Sequence, residues 1–174
     1  EILTSRLIDR PIRPIFPAGW HFETQIVALL ISADSENDSD VLAITGASAA
    51  LALSSIPFQK TTAGVRVGLI DGAYVINPTY TERKTSKIDL IVAGTQDAIV
   101  MVEAGAKEVA EETMLEALQR GHMVAAEIAG MIEELCLKAG KPKMAFEPPK
   151  RDKALVDAIE DQFGDQLRQA PLTQ

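Results

Sequence analysis

The sequence is poor in the residues from which most metal, redox and nucleophile sites are built. Cysteine occurs once in 174 residues, at Cys136, and histidine twice, at His21 and His122. A single cysteine excludes an internal disulfide and fits a reducing compartment. Cys136 lies between Leu135 and Leu137 in a helical pattern and reads as a small buried hydrophobe. Neither histidine has neighbours at metal-ligand spacing or the context of a catalytic triad. His122 falls within the apolar stripe of a helix and reads as a packing residue. No glycine-rich loop follows a strand, which removes the case for a P-loop or a dinucleotide fingerprint. Aromatic residues are 5% of the chain, and Trp20, Tyr74 and Tyr80 are not interleaved with basic residues as in an RNA-stacking platform. No apolar run reaches the roughly 18 residues of a membrane span. There is no basic-flanked apolar leader either, so no membrane partner is expected.

What the chain does have is ordinary globular composition, 47% hydrophobic and 24% charged. The net charge of −8 and a pI near 4.8 argue against a free-standing basic nucleic-acid binder, and no DNA partner is expected. A local patch for RNA stays open. Residues 1–31 are formally neutral, carrying Arg6, Arg10 and Arg13 against Glu1, Asp9 and Glu23, so the whole excess of acid lies beyond them. Glu1 opens what reads as the middle of a helix, and the expectation is a chain cut from a longer protein.

Periodicity predicts a helix over residues 1–9, stopped by Pro11. The three prolines of RPIRPIFPAG predict a stiff, extended connection. The nearly continuous apolar run in Glu23–Ala33 predicts a strand buried on both faces. A helix follows from an N-cap at Asp38 or Ser39 to Pro57. Its small residues, Gly46 to Ala50, predict close packing on a sheet or another helix. Asp71-Gly72 between two strands is a type I′ hairpin signal. Gly94-Thr95-Gln96-Asp97 marks a second hairpin, and TYTERKTS between the hairpins reads as a polar loop. Lys107–Ala139 is a long helix with Met114, Leu118, Ala125, Ala129, Ile132 and Cys136 on one stripe. Its Glu108, Glu111 and Glu112 near the start and Lys138 near the end suit the helix dipole. KPKMAFEPPK reads as a linker, followed by a separate charged helix. The hairpins break βαβ alternation, so the fold is α+β, a mixed sheet packed by helices, and not doubly wound.

Five ordered blocks carry a resemblance. LTSRLIDRPIRPIFPAG, TGASAALALSSIPF, RVGLIDGAYVINPT, DLIVAGTQDAIVMVEAGAKEV and MLEALQRGH are similar to the first core domain of the bacterial polynucleotide phosphorylase family. GKPK and the helix after it resemble the start of the α-helical module that joins the two cores of that family. The resemblance covers nearly the whole chain. It implies an RNase PH-like core over 1–140, N-terminally incomplete, a linker over 141–150 and the start of the helical module over 151–174. It implies a cytoplasmic parent enzyme that degrades RNA from the 3′ end with phosphate, releasing nucleoside diphosphates. That parent would use magnesium and phosphate, assemble as a homotrimer around an RNA channel and meet partner proteins of RNA degradation.

In the family's catalytic core, two aspartates hold magnesium just before the V-A-G-T turn, with a lysine two residues beyond the second. Here Asp89 matches the second aspartate, Arg83 stands at the first and Ile91 at the lysine. The turn corresponding to the phosphate site is DSENDSD, where Asp34, Glu36, Asp38 and Asp40 repel an anion and only Ser35 and Ser39 offer hydroxyls. No catalytic residue and no metal ligand is therefore assigned to this half, and neither cofactor is expected on it. Arg6, Arg10 and Arg13 are the candidate RNA or phosphate contacts. A salt-bridged brace involving Asp9 is the other reading of them. Two further functions stay open: a self-sufficient RNase PH-like phosphorolytic core, and an interaction module with no connection to RNA.

Overall fold

The hairpin signal at Asp71-Gly72 is realised in a computed structural model that describes residues 2–149 and 152–170. Strands β1 (Ala63–Ile70) and β2 (Ala73–Ile76) meet across it, and Asp71 and Gly72 take φ of 49° and 81°. Two positive φ values are the type I′ pair whose twist matches that of the strands. Strands β3 (Ile88–Gly94) and β4 (Ile99–Ala106) form the second hairpin, closed where Thr95 N–H donates to Ala98 O at 2.9 Å. The sheet order is β2-β1-β3-β4, and every pair is antiparallel. The sheet is thus not mixed: its strands are joined by short links, and a parallel neighbour needs a longer crossover.

Helix α4 (Glu111–Ala139) covers one face of the sheet. Val65, Val67, Leu69, Ile88, Leu90 and Val92 point into it against Ala117 and Ala125. Gly121 lets the helix sit close, because a Cβ there would meet Val92 Cγ2 at 2.9 Å and Val67 Cγ2 at 3.0 Å. His122 hydrogen-bonds through Nε2 to Thr95 O at 3.0 Å, a packing role as expected. The other face of the sheet packs on α1 (Ile2–Ile12) and α2 (Asp40–Leu53) through Leu7, Val41, Ile44, Ile91, Ala93 and Met101. Cys136 is half-buried against the neighbouring cluster of Ile12, Leu51, Phe58 and Ile132.

Four expectations change. Pro11 does not stop α1; the helix runs to Ile12 and tightens into a 3-10 turn over Arg13–Ile15, so RPIRPI is not extended. Proline removes one N–H but keeps a helical φ, and Pro11 and Ile12 are both buried, which offsets the lost bond. Residues 23–33 form no strand. Val27, Leu29, Leu30 and Ile31 are 67%, 79%, 64% and 95% exposed. Among the described residues no strand lies beside them to take their backbone groups, which a ladder requires. Gly46 has no atom within 4 Å of a Cβ position, so the small residues of α2 pack closely only on the side of Ala47 and Ser48. TYTERKTS contains a one-turn helix, α3 (Tyr80–Arg83), held by a capping box between Thr79 and Glu82.

Residues 140–149 are linker in composition but are fastened to the core. Lys143 Nζ donates to the carbonyls of Leu51, Ala52 and Ser54 at 3.1, 2.6 and 2.8 Å, a cation on the open C-terminal end of α2. Burial of Lys143 there lowers its pKa. Helix α5 (Lys153–Gln169) follows and is exposed except at Gly164. Residues 150, 151 and 171–174, part of the expected linker and module, lie outside the described residues, as does Glu1.

The two helical glycines should respond oppositely to alanine. Gly121→Ala is expected to destabilise the chain by about 1–3 kcal/mol through overpacking, even after the helix-propensity gain. Gly46→Ala meets nothing and should stabilise by up to ~1 kcal/mol. Urea unfolding midpoints of the two variants check both signs.

Candidate functional site

The three candidate arginines lie on α1 and the 3-10 turn that continues it. Because α1 continues past Pro11, Arg6, Arg10 and Arg13 follow at i, i+4 and i+7 and lie on one face. Arg10 pairs with Glu103 of β4 at 3.0 Å, and Arg13 with Asp9 at 2.7 Å. Both pairs are solvent-exposed, the class of ion pair worth ~0–1 kcal/mol. Arg6 is exposed and makes no hydrogen bond or ion pair among the described residues. The brace reading therefore describes Arg10 and Arg13, and Arg6 alone is uncommitted.

A second cluster was not legible as a site. Arg66, in the middle of β1, points to the α2 face with only 5% of its surface exposed. Its guanidinium bonds Asp89 and Asp40, with Asp38 at 3.3 Å. Arg83, presented by the capped turn of α3, reaches Asp38 at 2.9 Å and Asp89 at 2.8 Å. Two guanidiniums thus interlock with three carboxylates from the α2 entry and β3. The Nε of Arg66 is the one buried side-chain donor without a partner among the described residues. The only signal for this cluster was a lone arginine inside an apolar strand run, VRVGLI.

The titration of the carboxylates follows from their surroundings. Burial pushes Asp89 up, but the hydrogen bonds and charges of Arg66 and Arg83 outweigh it and hold the carboxyl below its ordinary value. Asp40 goes the other way: burial is the largest influence, the Arg66 charge opposes it, and neighbouring Asp38 adds to the rise.

The acidic turn is used internally. Asp34 accepts the N–H groups of Glu36 and Asn37 at 2.9 and 2.8 Å, which lowers its pKa to about 2. Glu36 accepts from Thr81 Oγ1 at 3.0 Å and so docks the turn on α3. Each carboxylate the sequence placed there has a structural partner.

A magnesium ion does not fit the position of the aspartate pair. Both oxygens of Asp89 accept from guanidinium groups, and the side chain at the other position is a cation. Metal ligation would require the ion to displace two arginines from a largely buried network.

An antiparallel four-stranded sheet between helices, entered by an arginine-bearing helix, defines an RNase PH-like α+β fold. Residues 1–57 match the model of the 3′ exoribonuclease family, domain 1, and residues 60–124 that of the 3′ exoribonuclease family, domain 2. The chain belongs to this family. More particularly, it is similar to proteins named polyribonucleotide nucleotidyltransferase. It is 52% identical to that of Acidobacterium capsulatum over 170 residues, 98% of this chain and 21% of the relative. It is 53% identical to that of Solibacter usitatus over 162 residues, 93% of this chain and 23% of the relative. The chain therefore spans about a fifth of the length of the curated relatives it matches. Among solved structures, rice Rrp46 superposes with a TM-score of 0.52 at 15% identity, covering 59% of this chain and 50% of that one, which shows the shared fold.

Removing Arg66 leaves the buried Asp40 without a cation and three carboxylates with Arg83 alone to offset them. Arg66→Met is expected to cost ~3–5 kcal/mol, read by chemical denaturation. Asp89 gives the pH test. Its pKa is depressed from 3.8, so its stabilisation is complete above that value and is lost as pH falls through the lower folded value. The melting-temperature gap between wild type and Asp89→Asn should stay constant from about pH 7 to 5 and narrow below about pH 4. A gap that widens in acid would contradict the assignment.

Proposed function

We propose that this chain is the first core of a 3′-to-5′ exoribonuclease that degrades RNA by phosphorolysis to nucleoside diphosphates. In this reading the core is itself non-catalytic and serves ring assembly and the RNA path. The observation that carries it is the capture of Asp89 by Arg66 and Arg83 at the position that the family resemblance gives to a metal-holding carboxylate. Phosphoryl transfer draws on metal ions and preorganised cations. Here the cations are spent on aspartates.

The names of the relatives supply the polymer and the class of transfer. The remaining features of the parent belong to the same proposal: magnesium and phosphate used elsewhere in the longer protein, a homotrimer, partner proteins of RNA degradation and a cytoplasmic location. So do the separate helical module beginning at residue 151 and the division from the core at 140. No described helix is long and apolar enough to cross a membrane. A self-sufficient phosphorolytic core is disfavoured by the same ion-paired cluster. A module with no connection to RNA is disfavoured by the identity to the nucleotidyltransferases.

On α1, Arg6 is the phosphate contact, with Arg10 and Arg13 able to exchange weak surface pairs for phosphate oxygens.

Two measurements on the full-length enzyme test this reading. Asp89→Asn should leave most of the release of nucleoside diphosphates intact; a large fall in turnover with assembly preserved would make this half catalytic. Arg6→Ala should weaken RNA binding and reduce the slope of log affinity against log salt by about one. An unchanged slope would remove Arg6 from the RNA path.

A further inference from the structure

Aromatic residues scattered from position 16 to 146 meet beside the end of α1. The Trp20 ring lies 4.9 Å from Phe22, 5.2 Å from Phe146 and 6.0 Å from Phe16. His21 stacks on Phe22 at 4.6 Å and 24°. Phe16 in turn meets Phe58, which is buried, so the cluster is anchored in the core. The loop that carries it is held by its own hydrogen bonds. Trp20 N–H donates to Pro17 O at 3.0 Å across a turn with Gly19 at φ 83°, the type II pattern. Trp20 Nε1–H donates to Thr24 Oγ1 at 3.1 Å. Gly19 leaves room for the fastened linker, since a Cβ there would overlap the Pro149 ring.

The outer part of this cluster is left open. Phe22 is 56% exposed, and His21 beside it is exposed too. Together with Trp20 they line an open pocket of about 580 Å³, to which Ile8, Ile12 and Arg13 also contribute. That volume lies within the ~300–1,000 Å³ of ordinary ligand pockets.

We propose that this pocket takes one base of single-stranded RNA, stacked on Phe22. This rests on the reading of the parent as an RNA-degrading enzyme. Three observations favour a base over other occupants. The wall keeps exposed aromatic surface on the His21–Phe22 pair, and a base of any sequence has a π-face to set against it. Arg13 stands at the pocket, and its arginine row on α1 leads toward Arg6, so a strand whose base enters here can run its phosphates along the row. The Arg13 side chain is 77% exposed and tied only to Asp9, so it can turn to a phosphate at little cost. Stacking platform beside cationic track is the combination that binds single strands without reading sequence.

The test uses the full-length enzyme with oligoadenylate and, at equal length, an abasic ribose-phosphate polymer. Phe22→Ala should weaken oligoadenylate binding about fivefold or more, the lower end of the ~1–3 kcal/mol of a stacked base. The abasic polymer should bind unchanged, the salt slope should not move, and Phe22→Tyr should restore affinity. Arg6→Ala should do the reverse, weakening both polymers and lowering the slope. A Phe22 effect without an Arg6 effect leaves the pocket standing and removes the arginine track. Independently, RNA carrying 5-iodouridine should crosslink within residues 20–22 of the wild-type enzyme; this decides the matter if Phe22→Ala lowers the melting temperature. A Phe22→Ala effect below twofold, equal weakening of the abasic polymer, crosslinks only outside residues 16–26, or lost subunit assembly with RNA binding intact would each overturn the proposal. The last outcome would make the pocket a protein contact.

Discussion

Arg66 holds a full positive charge in the second layer of a strand whose neighbours are apolar, and the architecture around it follows from neutralising that charge. An unpaired guanidinium at this depth would cost several kcal/mol. Three aspartates answer it, one from β3 and two from the entry to α2. The third element is α3, whose Arg83 shares Asp38 and Asp89 and offsets one of the two surplus carboxylates. Sheet, helix entry and connecting turn are thereby tied at one point. The start of α2 is fixed by this network, whose Asp38 and Asp40 carboxylates also accept the N–H groups of Asp40 and Val41, while Ser39 makes no cap bond.

The same tie bears on function. Carboxylates that neutralise buried arginines are not available to a metal, and buried arginines held by carboxylates, unlike the exposed ones of the α1 row, are not available to a phosphate. The polar chemistry of this cluster is therefore turned inward, although its sequence looks strongly acidic. What faces outward is the α1 row, the aromatic pocket at its end and the apolar segment 27–31. The linker after α4 contributes by staying in place: Lys143 closes the end of α2, and Phe146 backs Trp20, so the pocket wall does not depend on a free loop.

Local signals carried much of the fold. Asp71-Gly72 and the alternation around it specified a hairpin because only a pair of positive φ values turns two strands with matching twist. The long helix was visible in its 3.6-residue stripe, although Ala117 and Gly121 carry more of its contact than Met114 or Leu118. Thr79 and Glu82 form the T-x-x-E spacing of a capping box, a signal present in the sequence and read as loop. The segment 23–33 shows the opposite failure. Its apolarity is real, but a strand is a property of two neighbours, and composition does not supply the second. Pro11 was misjudged for a similar reason: the penalty of one missing N–H is local, and the burial that offsets it is not.

By itself the sequence determined the hairpin order, the long helix, the α+β class and, through five ordered blocks, the family. These depend on backbone preferences and on motifs that neighbouring residues carry within a short span. Only the tertiary structure decided what the charges do. Asp38, Asp40, Arg66, Arg83 and Asp89 come from four separate segments, and their pairing depends on the sheet register that sets Gly68 opposite Asp89 and Arg66 opposite Ile91. The contact of Phe146 with Trp20 likewise exists because the linker folds back across the core. Hydrogen-bonded ion pairs and ring stacking need contact within a few ångströms, so they act on distances that spacing along the chain does not encode.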